Sequence, residues 1–262
     1  MWINILWQHF TCCQRHMSYA GCVSNPSHDA TKFSDRQLLE QWAYHITPTI
    51  AESQLTANPL PGNVSQAQRS FLAQQRSDVR HALALDCEMG TSTLNEPELI
   101  RLSAVDYFSN ETLIDSLVKP SMAMLHYNTK YSGVTRTDMI AAERSRTCIF
   151  GRDAARKRLM RFVGPETTVI VHGGQNDLTA LRWIHPQIVD TFILAGYDSS
   201  KPEGGRSLKN LCSRNLGREV QVGKKGHCSL EDARATRELA HWFMEQIPSS
   251  SCVPLLAIGG TK

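Results

Sequence analysis

Residues 81–90 read "HALALDCEMG", an Ala/Leu run that closes on two acids, Asp86 and Glu88, one residue apart. In a strand, residues two apart project to one face. Asp86 and Glu88 therefore share a side with Ala82 and Ala84, and Leu83, Leu85, Cys87 and Met89 line the other. The Leu side reads as core and the Ala side as the one that carries any chemistry. Two like charges on one face repel unless a cation lies between them. Taken alone, the pair is better explained as a strand end emerging into water, because such pairs recur by chance.

Outward from this strand, residues 79–248 alternate strands with helices. "ELIRLSAVDYF" and "ETLIDSLVKP" are two further strands, joined by a turn with Ser-Asn at its tip, and so read as a hairpin. A loop, "SMAMLHYNTKYSGVTRTDM", follows, and a helix is expected within 151–163. "TTVIVHGG" is a strand running into the helix "QNDLTALRWI", and "QIVDTFIL" is another strand. "SLKNLCSRNLG" is a helix capped by Ser207 with Gly217 past its end, and "SLEDARATRELAHWFMEQI" is a last helix stopped by Pro248. The expected class is α/β, a mixed five-stranded sheet flanked by helices. Residues 1–78 read differently, as an extension with a Cys/His patch, a modest helix around "SDRQLLEQWAYHI" and the linker "TANPLPGNVSQAQ", and are expected to be poorly structured. Residues 249–262 read as a flexible tail.

Bulk properties constrain partners. With 262 residues and 41% hydrophobic composition the chain can bury one sizeable α/β domain plus an addition. A formal net charge of +3 gives no global support to a nucleic-acid partner, so any basic surface is local. No apolar run approaches the ~18 residues of a membrane span, and "MWINILWQHF" lacks the basic region and cleavage site of a secretory signal. No membrane partner is expected. The eight cysteines are read as free thiols in an intracellular, reducing setting, with the nucleus or nucleolus favoured over the cytoplasm.

Two later acids change the reading of the first pair. Asp177 lies in the first turn of its helix, on the stripe of Ala180, Leu181 and Ile184, which should face the sheet. Asp232 heads the stripe Ala235, Leu239, Phe243, although Ser229-x-x-Asp232 also fits a capping box. Four carboxylates converging on one end of a sheet need protonation or a bound cation. All-oxygen ligands suit Mg²⁺ or Mn²⁺, and two such ions suit phosphodiester hydrolysis. His227 lies in the Gly/Lys loop "KKGHCSLEDA", and an imidazole there suits proton abstraction from a metal-bound water at neutral pH. A mobile loop would bring it in only with substrate.

"ALDCEM", "NDLTAL" and "GHCSLEDARAT" resemble, in order, the motifs of the DEDDh 3′–5′ exonucleases, a superfamily with a ribonuclease H-like fold. "YNTKYSGVT", "IHPQIVDT" and "SLKNLCSRNLGREVQ" are similar to its RNA exonuclease (Rex-like) branch. The resemblance covers about residues 80–245. It implies that Asp86, Glu88 and Asp232 hold one ion, that Asp86 bridges to a second served by Asp177, and that His227 is the general base. It also implies nucleoside 5′-monophosphates as products, released from single-stranded RNA 3′ ends, and three antiparallel leading strands. Met89 and Gly90 are candidates to lie against the terminal sugar. Tyr131 is a packing residue or a nucleotide neighbour, with packing preferred. Arg206, Lys209, Arg214, Arg218, Lys224 and Lys225 either track phosphates or form a solvated basic face. Asp190 reads as structural. "TCCQRHMSYAGCVSNPSH" resembles half of a zinc module, with Cys12 or Cys13, Cys22 and His28 as candidate ligands for a structural zinc, but the other half is absent. DNA exonuclease chemistry and a non-catalytic RNA-binding module are the competing readings.

Overall fold

The computed structural model describes residues 43–48, 78–196, 205–222 and 226–247. They belong, Ala43 apart, to a compact unit that starts at Tyr44. Nine strands appear among the described residues: β1 (His45–Ile46), β2 (Ala82–Ser92), β3 (Pro97–Asp106), β4 (Thr112–Lys119), β5 (Met124–His126), β6 (Ile149–Phe150), β7 (Thr168–Val171), β8 (Trp183–Ile184) and β9 (Ile188–Asp190). The helices are α1 (Thr129–Ser132), α2 (Arg136–Arg144), α3 (Arg152–Leu159), α4 (Gln175–Leu181), α5 (Thr191–Gly196), α6 (Leu208–Leu211) and α7 (Ser229–Glu245).

The main sheet runs β6-β4-β3-β2-β7-β9, with β5 added to the far end of β2. β2, β3 and β4 are antiparallel neighbours, and β7 and β9 add in parallel to β2. The five expected strands are therefore its centre, and β5 and β6 are short additions. The β3–β4 turn is built by Asp106, whose Oδ1 accepts from Phe108 N at 2.9 Å and Ser109 N at 2.7 Å, a side chain imitating a backbone turn.

Both faces of the centre are buried. Leu83, Leu85 and Cys87 pack with Ala155, Leu159, Ala180 and Leu181 under α3 and α4. Ala82 and Ala84 pack with Ala233 and Ala240 of α7. The Ala side is thus core as well as the approach to the carboxylates, a correction that follows from topology: strands with parallel neighbours are covered on both sides. Small residues there let α7 lie close to the sheet.

Several expected boundaries shift. "QIVDTFIL" is strand only to Asp190 and then helix. α4 ends at Leu181, where Arg182 turns left-handed at φ 49°, so Ile184 leaves the inward stripe and is exposed in β8. α6 runs directly into a π-helical turn, Cys212–Leu216. The loop after β4 contains β5, α1 and α2. His45 and Ile46, expected at the end of a helix, form β1 instead, parallel to β8. The expected domain start at residue 79 therefore omits a strand that the compact unit contains. Residues 1–42 and 49–77 of the expected extension, with Cys12, Cys13, Cys22 and His28, lie outside the described residues, as does the tail from 248. No described helix is long and apolar enough to cross a membrane.

Candidate active site

Three elements supply the carboxylates. β2 brings Asp86 and Glu88, opposite Ser103 and Arg101 of β3. A bulge between Glu88 and Met89 breaks the register just past the acids, the kind of kink that re-aims side chains beside sites. α7, across the Ala side, delivers Asp232 from its first turn, and α4, across the Leu side, delivers Asp177. One ligand atom from each of Asp86, Glu88 and Asp232 lies within 4.8 Å of the others. Asp177 is outside that trio but beside it: its Oδ1 accepts from Cys87 N at 3.0 Å.

The cluster is electrostatically costly. Burial, then Asp177, Asp232 and Glu88, push Asp86 well above the usual carboxylate range. Burial and then Asp232 raise Glu88 to about 8, against the guanidinium of Arg101. Burial raises Asp177 to about 7 despite the Cys87 hydrogen bond. Asp232 is also raised by burial, opposed by Gln221 and His227. A cation would reverse each of these shifts. The fit to one is direct at Asp232: its Oδ1 is buried and has no hydrogen-bond partner among the described residues. An orphaned carboxylate oxygen on a residue clustered with two more carboxylates belongs to an oxygen donor set for Mg²⁺ or Mn²⁺.

The capping-box reading of Asp232 fails. The N-cap of α7 is Cys228, with no side-chain cap bond. Ser229 lies inside the helix, and its Oγ is 2.7 Å from Ser103 Oγ. Ser103 Oγ in turn donates to Asp115 Oδ1 at 3.0 Å, and Asp115 also takes Arg101 Nη2 at 2.9 Å. This chain, buried at its Ser103–Ser229 link, ties the start of α7 to β3 and β4. The other Asp232 oxygen, Oδ2, accepts from Gln221 Nε2 at 2.9 Å and lies 3.7 Å from His227 Nδ1. Gln221, Arg101 and Asp115 escape sequence reasoning. For Arg101 the alternation of β3 was a usable signal once its register against β2 was known; Gln221 sits in an irregular segment and carried none.

His227 is held beside Asp232 by the backbone. Its backbone N donates to Tyr131 O at 2.5 Å. Gly226 has φ +84°, and a Cβ there would fall 2.2 Å from Gly133 N and 2.5 Å from its Cα. The loop is thus pressed against the "YSG" turn.

The other candidates are scattered. Met89 O accepts from Asn128 Nδ2 at 3.0 Å. Gly90 is buried, and a Cβ there would meet Met124 Cε at 2.5 Å and His126 O at 2.9 Å, so the backbones of β2 and β5 approach closely at this point. The Tyr131 ring is 54% exposed, which corrects the preferred packing reading. Arg206 lies over the Phe192 ring at 4.7 Å. Lys209 and Arg214 are exposed, and Arg218 pairs with Glu238 at 2.5 Å. Lys224 and Lys225 lie outside the described residues. Asp190 receives Gly173 N at 2.8 Å, Gly174 N at 3.1 Å and Phe192 N at 2.9 Å, pinning the turn that opens α4. Cys87, Cys148, Cys212 and Cys228 are free thiols.

Residues 83–240 match the sequence profile of a family described as "Exonuclease" (RNase_T). RNA exonuclease 3 of Emericella nidulans is 31% identical over 253 residues, covering 88% of this chain and 36% of the relative. RNA exonuclease 3 of Candida albicans is 35% identical over 179 residues, covering 67% and 41%. The chain thus spans about two fifths or less of the length of these curated relatives. The Saccharomyces cerevisiae Pan2 pseudoubiquitin hydrolase-RNA exonuclease module, solved with AAGGA RNA, superposes with a TM-score of 0.54 at 20% identity, covering 72% of this chain and 32% of that one, a likeness of fold.

Proposed function

The chain belongs to the exonuclease family, in its DEDDh, Rex-like branch, and on that premise we propose that it is a metal-dependent 3′–5′ exoribonuclease. The observation that carries the reading is the Asp86, Glu88, Asp232 trio with Asp232 Oδ1 left unpaired. The names of the relatives support RNA as the polymer.

Asp86, Glu88 and Asp232 would hold one divalent cation, with Asp86 and Asp177 serving a second. Two such ions would supply positive charge to the attacking and departing oxygens of a phosphodiester. The chain's own residues do the rest. His227 accepts the proton of the attacking water, and Asp232, 3.7 Å away, favours the imidazolium that results. Water oxygen forms a bond to the terminal phosphorus as the bond to the 3′ oxygen of the preceding nucleotide breaks. That oxygen takes up a proton, and a nucleoside 5′-monophosphate leaves. Gln221, donating to Asp232 Oδ2, holds this carboxylate in one orientation.

The test is an assay on 5′-labelled RNA and DNA oligonucleotides with Mg²⁺ or Mn²⁺. The expected result is stepwise shortening of the wild type's RNA from its 3′ end and none with chelator. Asp86→Ala and Asp232→Ala should abolish it while the fold survives, and His227→Ala should slow it at least a hundredfold with cation binding retained. Full activity in either aspartate variant would overturn the metal assignment, and an unchanged rate in the histidine variant would remove His227 as base.

A further inference from the structure

Beside the carboxylate cluster, on the β9 side, lies an aromatic and guanidinium stack that the proposed chemistry does not use. Phe192, in the first turn of α5, is 38% exposed. The Arg206 guanidinium carbon sits 4.7 Å from its ring centre, and a Cβ at Gly196 would lie 2.6 Å from Arg206 Nη1. Gly196 is thus what lets the guanidinium settle against α5. His172 meets the Phe192 ring edge-on at 5.7 Å.

The stack is anchored to the site, not merely near it. Asp190 Oδ1 accepts from Phe192 N and also from Gly173 N, and Gly173–Gly174 is the turn that opens the helix of Asp177. One carboxylate thus fixes both the Phe192 backbone and the approach to Asp177. His172 follows directly on β7, which pairs in parallel with β2 at Ala82↔Thr168 through Ala84↔Ile170. Two residues further along that register His172 comes level with Asp86. Its Nδ1 is 2.8 Å from Thr191 Oγ1, and the Arg206 backbone hydrogen-bonds the same ring. His172 therefore pins the segment bearing Arg206 to the element bearing Phe192.

An exposed aromatic with a planar guanidinium on its face, flanked by the exposed cations Lys209 and Arg214, is the composition of single-strand nucleic-acid platforms. The sequence alone offered Arg206 a phosphate contact or a place on a solvated basic face. The geometry adds a ring to that charge: the guanidinium carbon lies 4.7 Å from the Phe192 ring centre, and a planar cation paired with an exposed aromatic is a combination on which a base stacks.

We propose that Phe192 and Arg206 form a stacking shelf that receives an unpaired base of the RNA strand next to the scissile end. The inference rests on the exoribonuclease reading for its substrate, but not for its readout, which is binding. Fluorescence anisotropy of 5′-labelled A6 RNA in chelator gives Kd for wild type, Phe192→Ala, Phe192→Tyr, Arg206→Lys and Arg206→Ala, with calorimetry to verify the fold. The same set is measured with single abasic sites at each of the last three positions. Phe192→Ala and Arg206→Lys should each weaken binding about tenfold, and Phe192→Tyr should bind as wild type. One abasic position should weaken wild type by the same factor and cancel the difference between wild type and variants. A wild-type Kd in Arg206→Lys, with loss only in Arg206→Ala, would mean bare charge and overturn the shelf. So would losses equal on intact and abasic RNA. Nucleotide release by the wild type is scored separately: its absence would sink the exoribonuclease reading and leave the binding result standing.

Discussion

Glu88 shows what the site costs at the scale of a residue. Its carboxyl is raised from 4.5 to about 8, and that of Asp177 from 3.8 to about 7. For an acid raised on folding, the folded form holds its proton more tightly than the unfolded one. The stabilisation is complete below about pH 4 and is lost as pH climbs through 7 and 8. The metal-free protein should therefore melt lower at pH 8.5 than at pH 5.5, on the order of 5 °C, and Mg²⁺ or Mn²⁺ should restore the loss most at the alkaline end. Calorimetry in chelator across that range checks it; a melting point that rises with pH would refute the clustering of buried acids. Alternation alone places Asp86 and Glu88 on one face, and stripe position makes Asp232 inward. What alternation cannot give is a partner. Ser229 has the spacing of a cap, yet its hydroxyl faces Ser103 from another strand, and nothing local in the sequence encodes that meeting.

At the scale of elements, periodicity finds the sheet centre and the long α7, whereas short pieces escape because neighbours, not propensity, decide them. β1 exists only because β8 lies beside it. The loop holding His227 is set by a backbone contact that no side-chain pattern reveals. Gly226 has a positive φ and meets Gly133 backbone atoms, which cannot swing aside as a side chain could. Gly226→Ala should move His227 away from Asp232 and cut turnover about a hundredfold. Cation binding, read by calorimetric titration, should persist. Wild-type turnover would show that the loop's grip on the "YSG" turn does not position the histidine.

Across the whole molecule, the strand nearest the start of the described unit is fastened by one hydroxyl in addition to its backbone pairing with β8. His185 Nε2 lies 2.6 Å from Thr167 O, so it donates there, and Nδ1 must accept from Thr47 Oγ1 at 2.7 Å. The same oxygen accepts from Trp183 Nε1 at 2.8 Å. Burial lowers the pKa of His185, in keeping with the neutral ring this pattern needs. Thr47→Val would leave two buried groups unpaired, costing about 3 kcal/mol and lowering Tm by about 5–10 °C. An unchanged Tm would show that the Thr47 hydroxyl does not fasten β1.

The spread of the carboxylates along the chain has a consequence for biosynthesis. Asp86 and Glu88 are made early, but Asp232 arrives with α7, the last described helix. Until that helix emerges, the Ala82 and Ala84 side of the sheet lacks the cover of Ala233 and Ala240, and Asp86 and Glu88 lack the third carboxylate of the trio. A chain terminated before α7 therefore carries an incomplete cluster and an uncovered sheet face for chaperones and proteases to find. The order in which the four carboxylates are made keeps them from assembling until synthesis of the described unit is all but finished.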